Sequence, residues 1–330
     1  MNTRGVLRAL VRPRLFLPVL LAAALLFVAI SLGDIGKVLD RVQAIPYATL
    51  ALVLVFAAAY LLLKGLQLHL LLTNLGAHPG WRRFVLAFAV GELALTLPLG
   101  IFAQNWVLTR KDSSGFGRSS AATVVMLLME VVVVLLWLAV FGVPGWPPVR
   151  PVAIVVLAGL GLLTFGVLRF EAGAQWLAHS VRHRRLHQAL LQGIGLLRGL
   201  KRLASWRVLG VNLLVTPAYL GALALAFLQL GHGVGLPALE FHQAATIYAF
   251  SLAAILLCGG LFGQIGTVEV IGMSAAHACG IGYTDGLALM LGFRLAWTGA
   301  MWLLNAPLAW HFRHAMRPPA SVEQGEEMRD

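Results

Sequence analysis

The chain is a succession of apolar runs, most of them about as long as a bilayer is thick. The stretches Leu15–Leu32, Pro46–Leu72, Ala121–Val143, Pro151–Leu168, Val208–Leu230 and Leu287–Trp310 are each long enough to cross a hydrocarbon core of ~30 Å as a helix. The runs are continuous rather than alternating at every second residue, which excludes a transmembrane β-barrel. Hydrophobic residues make up 59% of the 330 and charged residues 12%. That excludes a disordered chain and argues against a soluble globule. The expected fold is all-α: a polytopic transmembrane helical bundle forming one integral membrane domain.

The net charge of +12 is not a nucleic-acid signal. The basic residues sit between the spans, and no nucleic-acid-binding module accompanies them. The positive-inside rule accounts for most of them, with anionic lipid headgroups as a secondary attraction. Cys258 and Cys279 lie in apolar surroundings and read as packing residues. With no His or Asp partners they do not make a zinc site. No metal or cofactor is expected.

Loop charges set the orientation. Arg4, Arg8, Arg12 and Arg14 precede Leu15–Leu32, a run too long for a signal-peptide core and without a clear cleavage site. It reads as an uncleaved first span with the N-terminus inside. The balanced loop Gly33–Ile45 is then outside, and Thr73–Arg83, with Arg82 and Arg83, is inside. If Phe84–Phe102 crossed once, the basic stretch Arg110–Arg118 and the very basic connector Arg169–Arg207 would both be outside. The contradiction disappears if Phe84–Arg110 enters and leaves on one side, broken at Pro98 and Gly100. In the second half, Ala244–Gly282, with Gly259, Gly260, Gly263 and Gly266, must likewise begin and end outside. The expectation is two re-entrant hairpins, opening from opposite sides, in an inverted-topology repeat. The pseudo-repeat halves are about 1–168 and 208–310, and the tail 311–330 is cytoplasmic.

The connector carries Leu186, Leu190, Ile194, Leu197 and Leu200 at helical spacing. Arg182, Arg184, Arg185, Arg198, Lys201 and Arg202 are interleaved. Two readings stand: a helix lying in the headgroup layer, or a basic cytoplasmic linker whose leucines pack on the bundle.

Lys64, Glu92, Glu130, Glu269 and Arg294 fall inside apolar segments. A charge near the bilayer centre costs roughly 2.5–3.5 kcal/mol on insertion scales, so such residues face a polar cavity or one another. Lys64 has a third option, snorkelling to the nearer interface. A Glu269–Arg294 pair is the cheapest explanation for those two charges, and a short turn, Gly280 to Tyr283, lets them reach a similar depth. There is no Walker A motif, no His-Glu-x-x-His and no Gly-x-Ser-x-Gly. The acidic residues come one per segment, which suits a path better than a catalytic dyad.

The run Gly263 to Glu269 (GQIGTVE), followed by Gly280 and Gly282 and then Arg294, resembles the C-terminal half of the lysylphosphatidylglycerol synthase transmembrane, or flippase-like, family. The first half agrees in Lys64, Leu75 and Gly76, Leu97 to Gly100, Arg110 and Glu130. Two departures stand out: Ala103, Gln104 and Val107 occupy the place of a Gly-Glu and a nearby Arg, and Lys64 replaces what is commonly Arg. The first hairpin is thus neutral at that end. Some members carry a soluble aminoacyl-transferase domain; these 330 residues hold none. The resemblance implies movement of lipids between leaflets.

The expected function is flippase-like translocation of a lipid or lipid-linked headgroup across a bacterial inner membrane without ATP hydrolysis. The alternative is a membrane-embedded enzyme or accessory subunit of lipid or glycolipid synthesis. The expected path residues are Lys64, Glu92, Pro98, Gln104, Arg110, Glu130, Gly263, Gly266, Glu269 and Arg294. Arg182, Arg184, Arg185, Lys201 and Arg202 are the expected lipid-surface contacts. Membrane lipids, anionic ones among them, are the expected partners.

Overall fold

The computed structural model describes residues 31, 34–94, 100–109, 115–169, 184–257 and 267–316. Eleven α-helices form this part, and no strand occurs among the described residues beyond an isolated bridge, Val143 to Trp146. They are α1 (Ile35–Gln43), α2 (Tyr47–Asn74), α3 (Trp81–Ala94), α4 (Ala103–Thr109), α5 (Gly115–Phe141), α6 (Val149–Arg169), α7 (Arg184–Leu203), α8 (Trp206–Gly233), α9 (Phe241–Leu257), α10 (Thr267–Ala278) and α11 (Tyr283–Phe312). A 3-10 turn at Gly100–Phe102 leads into α4.

Helices α2, α5, α6, α8 and α11 are long and apolar enough to cross a membrane. They fall on five of the predicted spans; the sixth, Leu15–Leu32, lies outside the described residues. Both α2 and α8 run for 28 residues, about 42 Å at the rise of an α-helix, so each has length to spare for tilting. Both stop in the same way. One ordinary residue caps the helix, and a glycine in the left-handed region follows, Gly76 after α2 and Gly235 after α8.

The helices between them are shorter. α3 has 14 residues, α4 has 7, α9 has 17 and α10 has 12, each under the ~20 needed for one crossing. They pack in pairs, α3 on α4 and α9 on α10. The first pair is antiparallel: Arg83 Nε donates to the Val107 carbonyl at 3.1 Å, and further along Gly91 lies against Gln104. A side chain at Gly91 would put its Cβ 2.8 Å from Gln104 Cβ, so the close approach requires glycine. The predicted breakpoint at Pro98 lies outside the described residues, as do Gly259, Gly260, Gly263 and Gly266. The chain is nonetheless not one straight helix over Phe84–Phe102, because Gly100 lies against the Ala94 carbonyl and opens a 3-10 turn.

Packing pairs recur between the two parts of the chain. α2 lies along α8. α3 packs on α11 as α9 packs on α5, and α4 on α5 as α10 on α11. α2 meets α11 as α8 meets α5. The core runs along α2 and α8, where Leu68, Leu71, Tyr219 and Phe227 are wholly buried. In lipid this core is held by close packing and polar contacts rather than by exclusion of water. Helix α6 turns Ile154, Val155, Leu162, Leu163 and Phe165 outward, a face suited to hydrocarbon.

The loops gather at two ends. At one end, Arg41 of α1 pairs with Asp285 at 2.7 Å, and the Asp34 amide donates to Thr284 Oγ1 at 3.2 Å. Asp34 also caps α1. Hydrogen bonds from the Lys37 side chain and amide hold its carboxyl below the usual carboxylate range. Gly233 meets Thr49 there, and Gly145 meets Ala278. At the other end, Trp81 and Phe312 stack edge to face at 5.1 Å, Gly117 lies on the Gln192 carbonyl, and Arg202 donates to the Leu75 carbonyl at 3.5 Å. Helix α7 therefore takes the bundle-packed reading for one face: Ile194 and Leu203 are buried, and Leu196 and Leu200 pack on the core.

Candidate functional site

Lys64 is the eighteenth residue of α2, well inside a mostly apolar helix. Its side chain is 5% exposed. It does not snorkel, because its ammonium is held by partners within the bundle. The ammonium donates to Tyr60 Oη at 2.5 Å, one turn back on the same helix. It lies 3.3 Å from Glu92 Oε1 on α3 and 3.5 Å from Glu130 Oε1 on α5. Both carboxylates are buried. Tyr219 Oη on α8 donates to Glu130 Oε1 at 2.9 Å. Four helices thus contribute to one ionic cluster. The Tyr60 ring stands edge-on to Tyr219 at 5.5 Å and to Trp297 of α11 at 5.3 Å, closing the cluster with aromatic walls.

One turn beyond Lys64, the Gln67 amide donates to Asn212 Oδ1 at 2.7 Å and to Thr216 Oγ1 at 2.9 Å, both on α8. This binds α2 to α8 through polar contacts that lipid cannot replace. Gln104 and Asn105 of α4 both donate to Thr123 Oγ1 on α5 at 2.9 Å. In the second part, Arg294 Nη1 on α11 donates to Glu269 Oε1 on α10 at 2.7 Å. Glu269 is 2% exposed and Arg294 22%.

The last two contacts correspond in position. Asn105 is the third residue of α4 and Glu269 the third of α10. Thr123 and Arg294 each lie eighteen residues before the end of their helices, α5 and α11. The neutral contact in the first part stands where an ion pair stands in the second.

The structure brings Lys64, Glu92 and Glu130 together, places Gln104 against Thr123, and joins Glu269 to Arg294. It does not bring all the charges into one cluster. Pro98, Arg110, Gly263, Gly266 and Arg182 lie outside the described residues. Arg184 and Arg185 open α7, and Lys201 and Arg202 are exposed in its last turn. Tyr60, Tyr219, Asn105, Thr123, Asn212 and Thr216 escaped the sequence reading, which looked for charges. For the two tyrosines a signal existed: each is the fourteenth residue of a 28-residue helix.

Among the described residues no three His, Cys, Asp or Glu side chains gather as a metal site. The fold and the buried charges define an integral, multi-pass helical membrane protein with an ionic centre inside its bundle. The chain belongs to the lysylphosphatidylglycerol synthase TM region family, whose model matches residues 15–306. No curated protein and no solved structure matches it.

Proposed function

We propose that the protein moves a lipid, or a lipid-linked headgroup, between the leaflets of the bacterial inner membrane without hydrolysing ATP. Membership of a lipid-related membrane family supports the substrate class. The observation that carries the reading is the Glu269–Arg294 pair. Its carboxylate is buried, while the Arg294 side chain is 22% exposed within an apolar span. A purely structural pair gains nothing from a partly exposed arginine in an apolar span, whereas a phosphate-bearing headgroup needs a cation to meet it. Arg suits phosphate through its planar fork of donors.

In this reading the packed pairs α3/α4 and α9/α10 are re-entrant hairpins opening from opposite faces of the membrane. The N-terminus, α7 and the tail are cytoplasmic. The recurrence of packing pairs and the gathering of loops at two ends support an inverted repeat, an arrangement that places substrate near the midplane. Lys201 and Arg202 draw anionic lipid to the cytoplasmic surface.

The test is reconstitution in liposomes carrying a fluorescent phospholipid, with an impermeant quencher outside. Protein-free vesicles lose the outer-leaflet signal alone. Wild type should expose the inner-leaflet probe as well, and Glu269→Gln should leave it protected. A wild-type protein that behaves like empty vesicles with both zwitterionic and anionic probes overturns the proposal.

A further inference from the structure

The Lys64 cluster holds one cation against two carboxylates. With both glutamates ionised it carries a net negative charge, buried among helices, and two carboxylates sharing one site resist joint ionisation. Among the described residues no further cation relieves the imbalance. The groups within reach of the cluster are Tyr60 on α2, Tyr219 on α8 and Tyr248 on α9. α4 and α11 bring uncharged side chains to it, Gln104 beside Gly91 and Trp297 against Tyr60. The Lys64 ammonium is already engaged inside the bundle, by a hydrogen bond to Tyr60 and by ion pairs with Glu92 and Glu130, which leaves it poorly placed to meet a lipid phosphate.

We propose that this cluster is a proton-binding site, that one proton resides on Glu92, and that its release and uptake are coupled to headgroup movement. The coupling rests on the translocation reading; the proton site does not. Geometry selects Glu92 over Glu130. Glu130 accepts a hydrogen bond from Tyr219 at 2.9 Å and also pairs with the Lys64 ammonium at 3.5 Å, and the two together stabilise a carboxylate. Glu92 has Lys64 as its one partner among the described residues. Glu92 also lies two residues before the last described residue of α3, in the pair that packs on α4. With the proton on Glu92 the site is neutral: one ammonium, one carboxylate, one carboxylic acid. On release, the Glu92 O–H bond breaks and the proton passes to water entering the cluster. The site then carries one unbalanced negative charge, which hydrocarbon and packed helices do not tolerate. Only a hydrated arrangement of the hairpin stabilises it. Proton occupancy therefore biases a two-state element.

Two measurements on full-length protein in liposomes test this. In infrared spectra near neutral pH, wild type should show a protonated-carboxyl C=O band that shifts in D2O. Glu92→Gln mimics the protonated side chain and should fold. It and Glu130→Gln should each lose the band, because one carboxylate then balances one ammonium. Glu240→Gln, at an exposed site, should keep it. Absence of the band in wild type, or its persistence in both cluster variants, overturns the site. In the fluorescent-lipid assay, one coupled proton predicts that a pH difference of one unit shifts the final leaflet ratio roughly tenfold, and that Glu92→Gln abolishes the shift. Lipid movement indifferent to the gradient, with the band present, overturns the coupling. A band without lipid movement under any gradient overturns the translocation reading and the coupling, and leaves the proton site standing.

Discussion

Tyr60 and Tyr219 occupy the same place, the fourteenth, in two helices of equal length, and their rings meet edge to face at 5.5 Å. Their hydroxyls then diverge in role. Tyr60 accepts from Lys64, and Tyr219 donates to Glu130. The pair joins α2 to α8 at mid-length and frames the buried ion cluster on two sides. An edge-to-face aromatic pair contributes about 0.5–1.5 kcal/mol beyond its packing, and here it also fixes where the ammonium sits.

Tyr219→Phe keeps the ring and removes the donor to Glu130. A hydrogen bond to a charged group is worth about 1.5–3 kcal/mol. The variant should melt earlier than wild type in detergent, and Tyr219→Ala, which also opens a cavity, should lose about 3–5 kcal/mol. Equal melting of Tyr219→Phe and wild type means the hydroxyl contributes nothing to the cluster.

Glu269→Gln should leave the protein folded and stop lipid translocation. Arg294→Ala should impair both, because removing one partner leaves a buried carboxylate uncompensated at a cost of about 3–5 kcal/mol. Combining the two substitutions should recover part of that stability. A double variant no more stable than Arg294→Ala argues against direct pairing.

Gly91→Ala should destabilise the α3/α4 pair by about 1–3 kcal/mol through overpacking on Gln104. The cost should shrink when Gln104→Gly removes the opposing Cβ, giving a non-additive cycle. Additive effects would mean that the two helices do not approach at this point.

Cysteines introduced at Arg184 and at Asp34 should label from opposite faces of the membrane in a background lacking Cys258 and Cys279. Arg184 should react from the cytoplasmic face and Asp34 from outside. Labelling of both from one face refutes the sidedness and, with it, the inverted repeat.

That the two intervening segments hold short helices rather than one full-length span each was legible in outline and illegible in detail. Pro98 and the glycines suggested where a helix cannot continue, and the described helices on either side are short. That Gly91 lies on Gln104, or that Asn105 and Thr123 stand where Glu269 and Arg294 stand, depends on which faces meet. Polar residues without charge gave no warning, since Asn and Thr occur in spans for many reasons.

By itself the sequence determined the solvent and the secondary structure. In hydrocarbon every backbone N–H and C=O must be satisfied within the chain, so long apolar runs can only be helices. It also determined that Lys64, Glu92, Glu130, Glu269 and Arg294 need polar company, because burying a lone charge is too costly. Who keeps that company was decided by the tertiary structure alone. Glu269 and Arg294 sit on adjacent helices joined by a short turn, so their pairing was within reach of the sequence. Lys64 meets Glu92 and Glu130 from α3 and α5, and Tyr219 arrives from α8, 89 residues from Glu130. Such a meeting follows from how helices rotate and cross when they pack, and no local pattern in the chain encodes that rotation.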